Sequence, residues 1–246
     1  MEHKKDFLAR ELNYWYRKIN KPAFIAHDPV QFPRRFSKQE DIEIAAFLAA
    51  TIAWGRRDLI LRSAERMFDL MGTSPFAYIM SDDYRKLKKS NIHRTFFEYD
   101  LKYFCRGFKY CYAKYGNMEK LFVSALEVWQ GIALFREEMA AANKGQHSKH
   151  IADPGAGRGN GSACKRINLA LRWLVRKGPV DLGIWSGIKA EALYIPLDIH
   201  VARTARKLRL LKRKSNDKKA VIELTERLRE FCPNDPVKYD FALFGM

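Results

Sequence analysis

The sequence contains no long apolar segment. Its longest apolar stretch, residues 42–54, is interrupted by Glu43 and is shorter than the roughly 20 residues that a membrane-spanning helix needs. The first residues lead directly into an amphipathic pattern, without the apolar core of a secretion signal. These absences predict a protein without membrane spans, and we expect a cytoplasmic location.

Metal-binding clusters and nucleotide-binding loops are also missing. The cysteines are Cys105, Cys111, Cys164 and Cys232. They are too scattered for a zinc ribbon or an iron–sulfur cluster, so we interpret them as reduced, mostly buried thiols. His147 and His150 lie in a polar loop without a third ligand nearby, and we expect them to be solvated. A GxxxxGK[ST] phosphate loop is absent, and we predict no metal and no cofactor.

The charge balance is strongly positive. With 45 Lys and Arg against 28 Asp and Glu, the formal net charge is +17, so a polyanion is the expected partner. Nucleic acid is the leading class, and an anionic membrane surface is the alternative. The length of 246 residues allows one sizeable core or two smaller lobes.

Helical periodicity runs through most of the chain, whereas alternating strand patterns are nearly absent. The sequence therefore predicts an all-α fold of about ten helices. Residues 28–33 should form an extended connector, and Ser37 with Glu40 should form a capping box before an Ala-rich central helix. The predicted helices are residues 7–19, 37–54, 58–71, 95–115, 118–142 as one or two helices, 162–177, 199–211, 217–231 and 236–244.

We expect these helices to form two lobes of a single unit. One lobe comprises about residues 40–145, and the other comprises about residues 1–39 together with 160–246. Residues 144–161 contain repeated glycines and no apolar periodicity, which is typical of a loop. A basic cleft should lie between the lobes.

A single carboxylate stands at the start of a basic helix. Asp198 follows Pro196 and precedes a segment that contains Arg203 and Lys207. An acidic residue at a helix start faces unpaired backbone N–H groups, which keep it ionised. Asp198 is therefore a candidate reaction-centre anion beside a bound polyanion, and an ordinary helix cap is the alternative interpretation.

A second candidate site opens the helix that follows Gly161. Ser162 is expected to cap this helix, which places Lys165 and Arg166 in its first turn. Exposed amides at a helix start, with glycines that permit close approach, suit a phosphate. A linker before an ordinary cap explains the glycines about as well, and Lys165 is also interpretable as a solvated lysine.

Further basic residues mark surfaces that could contact a phosphate backbone. Trp54, Arg56 and Arg57 lie at a turn between two apolar helices, where Trp54 could equally be a core residue and the arginines could equally face solvent. A second basic segment is either a solvated face or a surface that follows DNA. Its members are Lys207, Arg209, Lys212, Arg213 and Lys214.

The segment around Asp198 resembles the helix-hairpin-helix, Gly/Pro-rich loop and Asp (HhH-GPD) superfamily of DNA glycosylases. The signature V-D-T-H-V-x-R-V of that superfamily is matched by Asp198, His200, Val201 and Arg203, with Ile199 in place of Thr. The whole chain is also similar to a bacterial family of unknown function that is placed in the superfamily by its fold. The usual hairpin is unrecognisable before Lys165, and the C-terminal iron–sulfur loop is missing.

The resemblance implies a two-lobed HhH-GPD-like helical fold and a base-excision-repair DNA N-glycosylase, with or without lyase activity. Asp198 would stabilise the sugar cation, and Lys165 would be either a nucleophile or a phosphate anchor. We expect the two side chains to face each other across a groove wide enough for a sugar. The implied DNA contacts are Trp54, Arg56, Arg57, Gly161, Ser162, Arg166, His200, Arg203 and Lys207.

The expected partner is double-stranded DNA that contains a modified base, bound by a monomer associated with the nucleoid. Two other functions remain open at this point. One is a non-catalytic DNA-binding protein on the same fold, and the other is a basic protein associated with RNA or the ribosome. The sequence does not identify the base, because base choice depends on the shape of a pocket.

Overall fold

The computed structural model describes residues 2–155 and 161–246, with side chains from residue 5 onward. Within these ranges the protein is all-α, as predicted, with eleven α-helices and one small antiparallel hairpin. The helices are α1 (Glu2–Ile19), α2 (Gln39–Thr51), α3 (Arg57–Met71), α4 (Pro75–Met80), α5 (Glu98–Tyr115), α6 (Met118–Val123), α7 (Val128–Ala141), α8 (Lys165–Val175), α9 (Ile199–Lys207), α10 (Lys218–Arg229) and α11 (Tyr239–Gly245). The strands are β1 (Asn91–His93) and β2 (Phe96–Phe97).

The chain divides into two compact units. The middle unit comprises Ile25–Ala152, and the terminal unit comprises the chain up to Phe24 together with Asp153–Met246. The segment 25–39, which the sequence analysis grouped with the termini, therefore belongs to the middle unit. Of the predicted Gly-rich loop 144–161, residues 144–155 and 161 contain no helix, and residues 156–160 lie outside the described part of the chain.

The extended connector predicted for residues 28–33 is wrong. This part of the chain forms short 3-10 turns at Pro22–His27, Pro29–Gln31 and Pro33–Arg35. Each turn begins with a proline, whose fixed backbone angle suits the first position of such a turn as well as it suits extended chain. The Asp28 side chain accepts a hydrogen bond from the amide of Val30 at 3.0 Å and so stabilises one turn.

Helix α2 is the centre of the middle unit, and its residues from Asp41 to Thr51 are all buried. The capping box predicted at Ser37 and Glu40 is wrong, because Lys38 precedes the helix and its side chain makes no capping hydrogen bond. Glu43 is fully buried. Its carboxylate accepts hydrogen bonds from the Tyr112 hydroxyl at 2.7 Å and from the Met118 amide at 3.0 Å, so the charge is compensated inside the core.

Helix α8 is the centre of the terminal unit and carries a buried ionic cluster. Arg172 pairs with Asp240 and with Asp181, and Arg176 pairs with Asp181 at 2.7 Å and with Asp235 at 2.9 Å. The cluster links α8 to the loop after it and to α11. Its three carboxylates exceed its two guanidiniums by one charge, so one proton would make it neutral.

Candidate active site and nucleic-acid interface

Asp198 sits at the start of α9. Its backbone is extended, and its Oδ1 accepts a hydrogen bond from the Val201 amide at 2.9 Å. The preceding residues Ile195, Pro196 and Leu197 are buried and anchor the approach to the helix. This capping hydrogen bond fixes Asp198 through Oδ1 and leaves Oδ2 for another contact.

Lys165 is that second contact. Its Nζ lies 3.4 Å from Oδ2 of Asp198, and the two side chains are 30 and 25% exposed. The starts of α8 and α9 thus bring together residues 33 positions apart in the chain. A groove was predicted between the two groups, whereas they form a direct ion pair. We call Lys165 and Asp198 the charge pair.

The start of α8 differs from the one predicted. Ser162 does not cap the helix, because Lys165 is its first residue and Cys164, in a left-handed conformation with φ 45°, precedes it. The Ser162 hydroxyl accepts from the Cys164 amide at 3.3 Å, and the Ser162 amide donates to the Asp153 carbonyl at 2.7 Å. Gly161 accepts from the Lys218 amide at 3.2 Å. The amide of Ser162 is therefore already used within the protein.

Lys165 and Arg166 do lie in the first turn of α8, as predicted. Arg166 is half-buried, and this burial lowers the pKa of its guanidinium. The described residues between α7 and α8, 142–155 and 161–164, contain no helix. A helical hairpin immediately before Lys165 is therefore not seen in those residues.

A third ionisable group, Asp240, feels the charges of the charge pair. Asp240 on α11 is buried and hydrogen-bonded by Arg172. Burial raises the pKa of Asp240 to about 7, against the effect of Arg172, and the negative charge of Asp198 raises it further while Lys165 opposes the rise. Asp240 was not identified from the sequence. An acid between Tyr239 and Phe241 in an apolar helix was the available signal.

His200, Arg203 and Lys207 lie together along one side of α9, where all three are exposed. They line a pocket of about 380 Å³ with residues of α11 and the residue that follows it. The Nη2 atom of Arg203 is 3.3 Å from Nδ1 of His200. The structure thus brings three of the predicted DNA contacts into one place.

The turn at residues 54–57 belongs to the middle unit, and the β-hairpin holds it. The buried ring of His93 contacts the Trp54 carbonyl at 2.9 Å and the Ser63 hydroxyl at 3.0 Å. Burial lowers the pKa of His93, which favours its neutral form. The guanidinium of Arg94 lies over the Trp54 ring, 4.6 Å from its centroid. His93 and Arg94 were not identified from the sequence.

The two arginines of this turn are both exposed. The side chain of Arg56 is 76% exposed and pairs with Asp58 at 2.9 Å. Trp54 is half-buried, so it is neither the fully buried core residue nor the fully exposed surface residue that the sequence allowed. The turn can therefore offer two cationic side chains next to one aromatic ring.

Residues 2–155 and 161–246 contain no group of three His, Cys, Asp or Glu side chains arranged to hold a metal ion. The solvation predicted for His150 is wrong, because the side chain is buried with its Nε2 3.5 Å from Oδ2 of Asp100. His150 follows a turn that folds back onto the core, where its ring also packs against Phe96. None of the helices in the described ranges has both the length and the apolar character needed to cross a bilayer.

Comparison with known proteins identifies a family. The model of a family described as a protein of unknown function (DUF2400) matches residues 28–246. Neither a curated protein nor a solved structure matches the chain. The match covers the charge pair and the turn at Trp54. It also covers the basic face of α9, which consists of His200, Arg203 and Lys207.

Proposed function

The chain belongs to the DUF2400 family of proteins of unknown function, and we propose that it is a DNA N-glycosylase that removes a modified base from double-stranded DNA. The observation that carries this proposal is the charge pair: an amine and a carboxylate 3.4 Å apart, at the starts of two helices, each partly open to solvent. The formal net charge of +17 supports a nucleic-acid substrate. The resemblance of the Asp198 segment to HhH-GPD glycosylases supports the reaction class.

Asp198 would act on the charge that develops in the sugar. Cleavage of an N-glycosidic bond builds positive charge on the anomeric carbon and ring oxygen, and a fixed carboxylate nearby stabilises that charge. The hydrogen bond from the Val201 amide holds Asp198 in place. In the simpler reaction, the oxygen of a water molecule bonds to the anomeric carbon as the base departs with the bonding electron pair, and the proton that the water loses ends on the base.

Lys165 would determine whether strand cleavage is also possible. Its amine must first lose a proton, and Oδ2 of Asp198 at 3.4 Å is one acceptor for it. The neutral amine then forms a bond to the anomeric carbon as the bond to the base breaks, and the base leaves with the electron pair and takes up the proton from Asp198, which becomes a carboxylate again. A proton then passes from the attached nitrogen to the ring oxygen, and the sugar ring opens to give an iminium on Lys165, which is the intermediate of a lyase.

The remaining residues would bind the duplex. The basic face of α9 and the start of α8 carry groups that suit phosphate, namely Arg166, His200, Arg203 and Lys207. Arg56 and Arg57 present exposed cations next to Trp54, which suits a turn that holds opened DNA. In this proposal the protein acts as a monomer associated with the nucleoid and uses no cofactor.

Borohydride trapping tests the lyase form of the reaction. We would incubate the protein with duplexes that carry one oxidised, deaminated or alkylated base, add borohydride, and follow both base release and covalent adducts. We expect base release on at least one duplex, and an adduct that is lost in Lys165→Ala but kept in the exposed-lysine control Lys219→Gln. If the protein binds the duplexes tightly but releases a base from none of them, the proposal is contradicted.

A non-catalytic DNA-binding function is the second candidate, and the ion pair is the observation that favours it. A Lys165 ammonium paired with Asp198 is not nucleophilic, but it can still anchor a phosphate. Lys165→Ala would then weaken binding equally for all sequences and reduce its salt dependence, with no base released from any duplex. RNA binding stronger than duplex binding at the same salt would instead favour a role with RNA.

A further inference from the structure

The pocket beside α9 has two chemically different sides. It has a volume of about 380 Å³, which lies within the range of small-ligand sites. Its polar side is formed by His200, Arg203, Thr204 and Lys207, and its apolar side by Leu208, Leu243, Phe244 and Met246. We call it the α9 pocket.

The polar side is suited to an anion. His200, Arg203 and Lys207 follow one another at spacings of three and four residues, so they project from one side of the helix. None of the described residues that line the pocket is acidic. Two other pockets of the described chain differ in this respect, because Asp69, Asp83 and Glu98 line one and Asp235 lines the other. Of these three pockets, the α9 pocket is the one whose lining contains basic side chains and no carboxylate, which suits a phosphate.

The contact between Arg203 and His200 also favours an anion at this position. With Nη2 of Arg203 3.3 Å from Nδ1 of His200, the imidazole nitrogen can accept a hydrogen bond only while it is unprotonated. An anion bound between the two side chains would give both groups a shared acceptor. Arg203 also supplies the planar fork that binds phosphate oxygens in pairs.

The apolar side is suited to a flat ring. Phe244 is 41% exposed, although it belongs to the apolar helix α11. Its ring is held by an edge-on contact with Phe24, with centroids 5.9 Å apart. Beside it, Leu243 is buried and also lines the pocket. An inorganic phosphate would leave the exposed face of Phe244 unused, whereas a ligand with both a phosphate and an aromatic ring would use both sides.

We propose that the α9 pocket binds one nucleotide, with its phosphate between His200, Arg203 and Lys207 and its base against Phe244. The inference rests on the proposed function in one respect, because a DNA substrate supplies such nucleotides. A free nucleoside monophosphate supplies the same chemistry. The pocket does not include the charge pair, so it provides a binding site apart from the reacting groups.

Calorimetric titration of the full chain tests the proposal. The probes are deoxyadenosine 5′-monophosphate, deoxyadenosine and inorganic phosphate at low salt. We expect the monophosphate to bind more tightly than either of the other two. Equal affinity for monophosphate and inorganic phosphate, or no binding of either, would overturn the proposal.

Three variants assign the two sides of the pocket. Arg203→Gln should weaken the monophosphate and inorganic phosphate alike, and Phe244→Leu should weaken the monophosphate about tenfold with little change for inorganic phosphate. Lys219→Gln, which removes an exposed lysine on α10, should change neither affinity. Unchanged monophosphate affinity in Arg203→Gln, an exposed position where the fold is not at risk, would contradict the proposal.

A final arm separates the two sources of the nucleotide. The dinucleotide d(ApA) without a terminal phosphate carries only the internal phosphate of a DNA strand. If the pocket holds a nucleotide of the substrate strand, d(ApA) should bind and be weakened by Phe244→Leu. If it holds a free nucleotide, only probes with a terminal phosphate should bind. These titrations require no reaction, so a failure to release a base would not affect their result. Equally, a failure to bind a nucleotide would not affect the base-release assay.

Discussion

The buried carboxyl of Asp240 should make the stability of the protein fall as the pH rises. Burial raises the pKa of Asp240 from an ordinary value of 3.8 to about 7. A carboxyl whose pKa is raised by folding binds a proton more strongly in the folded state. Its contribution is therefore most favourable below about pH 4 and is lost progressively as the pH approaches 7.

The size of the effect follows from that shift. Each pH unit between the two pKa values changes the free energy of unfolding by about 1.4 kcal/mol. Between pH 5 and pH 8 the contribution should therefore fall by about 3 kcal/mol. The charges that face the carboxyl are Arg172, Asp181, Asp198 and Lys165, and Arg172 and Lys165 oppose the shift.

The perturbation is Asp240→Asn, which keeps the shape and one acceptor for Arg172 but cannot ionise. Urea unfolding at several pH values gives the difference in unfolding free energy between wild type and variant. From pH 5 to pH 8, we expect the unfolding free energy of the wild type to fall by about 3 kcal/mol relative to that of the variant. Asp58→Asn is the control, because Arg56 lowers the pKa of Asp58 and the group stays ionised throughout. A pH-independent difference for Asp240→Asn would refute the reasoning.

Three further outcomes follow from the middle unit. Gly55→Ala should destabilise it by roughly 1–3 kcal/mol, because φ is +101° and the added carbon would lie 2.6 Å from Arg94; Gly72→Ala, which also has a positive φ of +68° but nothing within 4 Å of the added carbon, should cost less in thermal unfolding. Arg56→Gln should leave stability unchanged and reduce the salt slope of duplex binding by about one; an unchanged slope would remove Arg56 from the interface. Glu43→Ala should cost roughly 3–5 kcal/mol in urea unfolding, because it leaves the Met118 amide without its buried acceptor and removes the carboxylate acceptor of the Tyr112 hydroxyl; a cost below about 1 kcal/mol would contradict this role.

The features that follow from local rules were predictable from the sequence. The periodicity of residues 58–71 and the glycine after them define α3 almost to the residue, and an acid before a basic helix identifies Asp198 as a cap. Lys165 fell in the first turn of α8 even though the expected cap, Ser162, was wrong. These outcomes depend on neighbours within four residues.

The features that depend on distant contacts were not predictable. Nothing near Asp240 in the sequence indicates that Arg172, 68 positions away, holds it beside the charge pair. The same applies to His93 and Arg94, which hold the Trp54 turn from a hairpin about 40 residues later. The prediction of an extended connector at residues 28–33 was wrong for another reason, because the backbone angle of proline fits extended chain and 3-10 turns equally well.

The most direct test of the central claim is the rate of base release by Asp198→Asn. Asn caps a helix as well as Asp does, so α9 should keep its start while the carboxylate charge is removed. On any duplex from which the wild type releases a base, we expect the variant to be at least about a hundredfold slower, with duplex affinity nearly unchanged. Release at the wild-type rate would contradict the role of the charge pair.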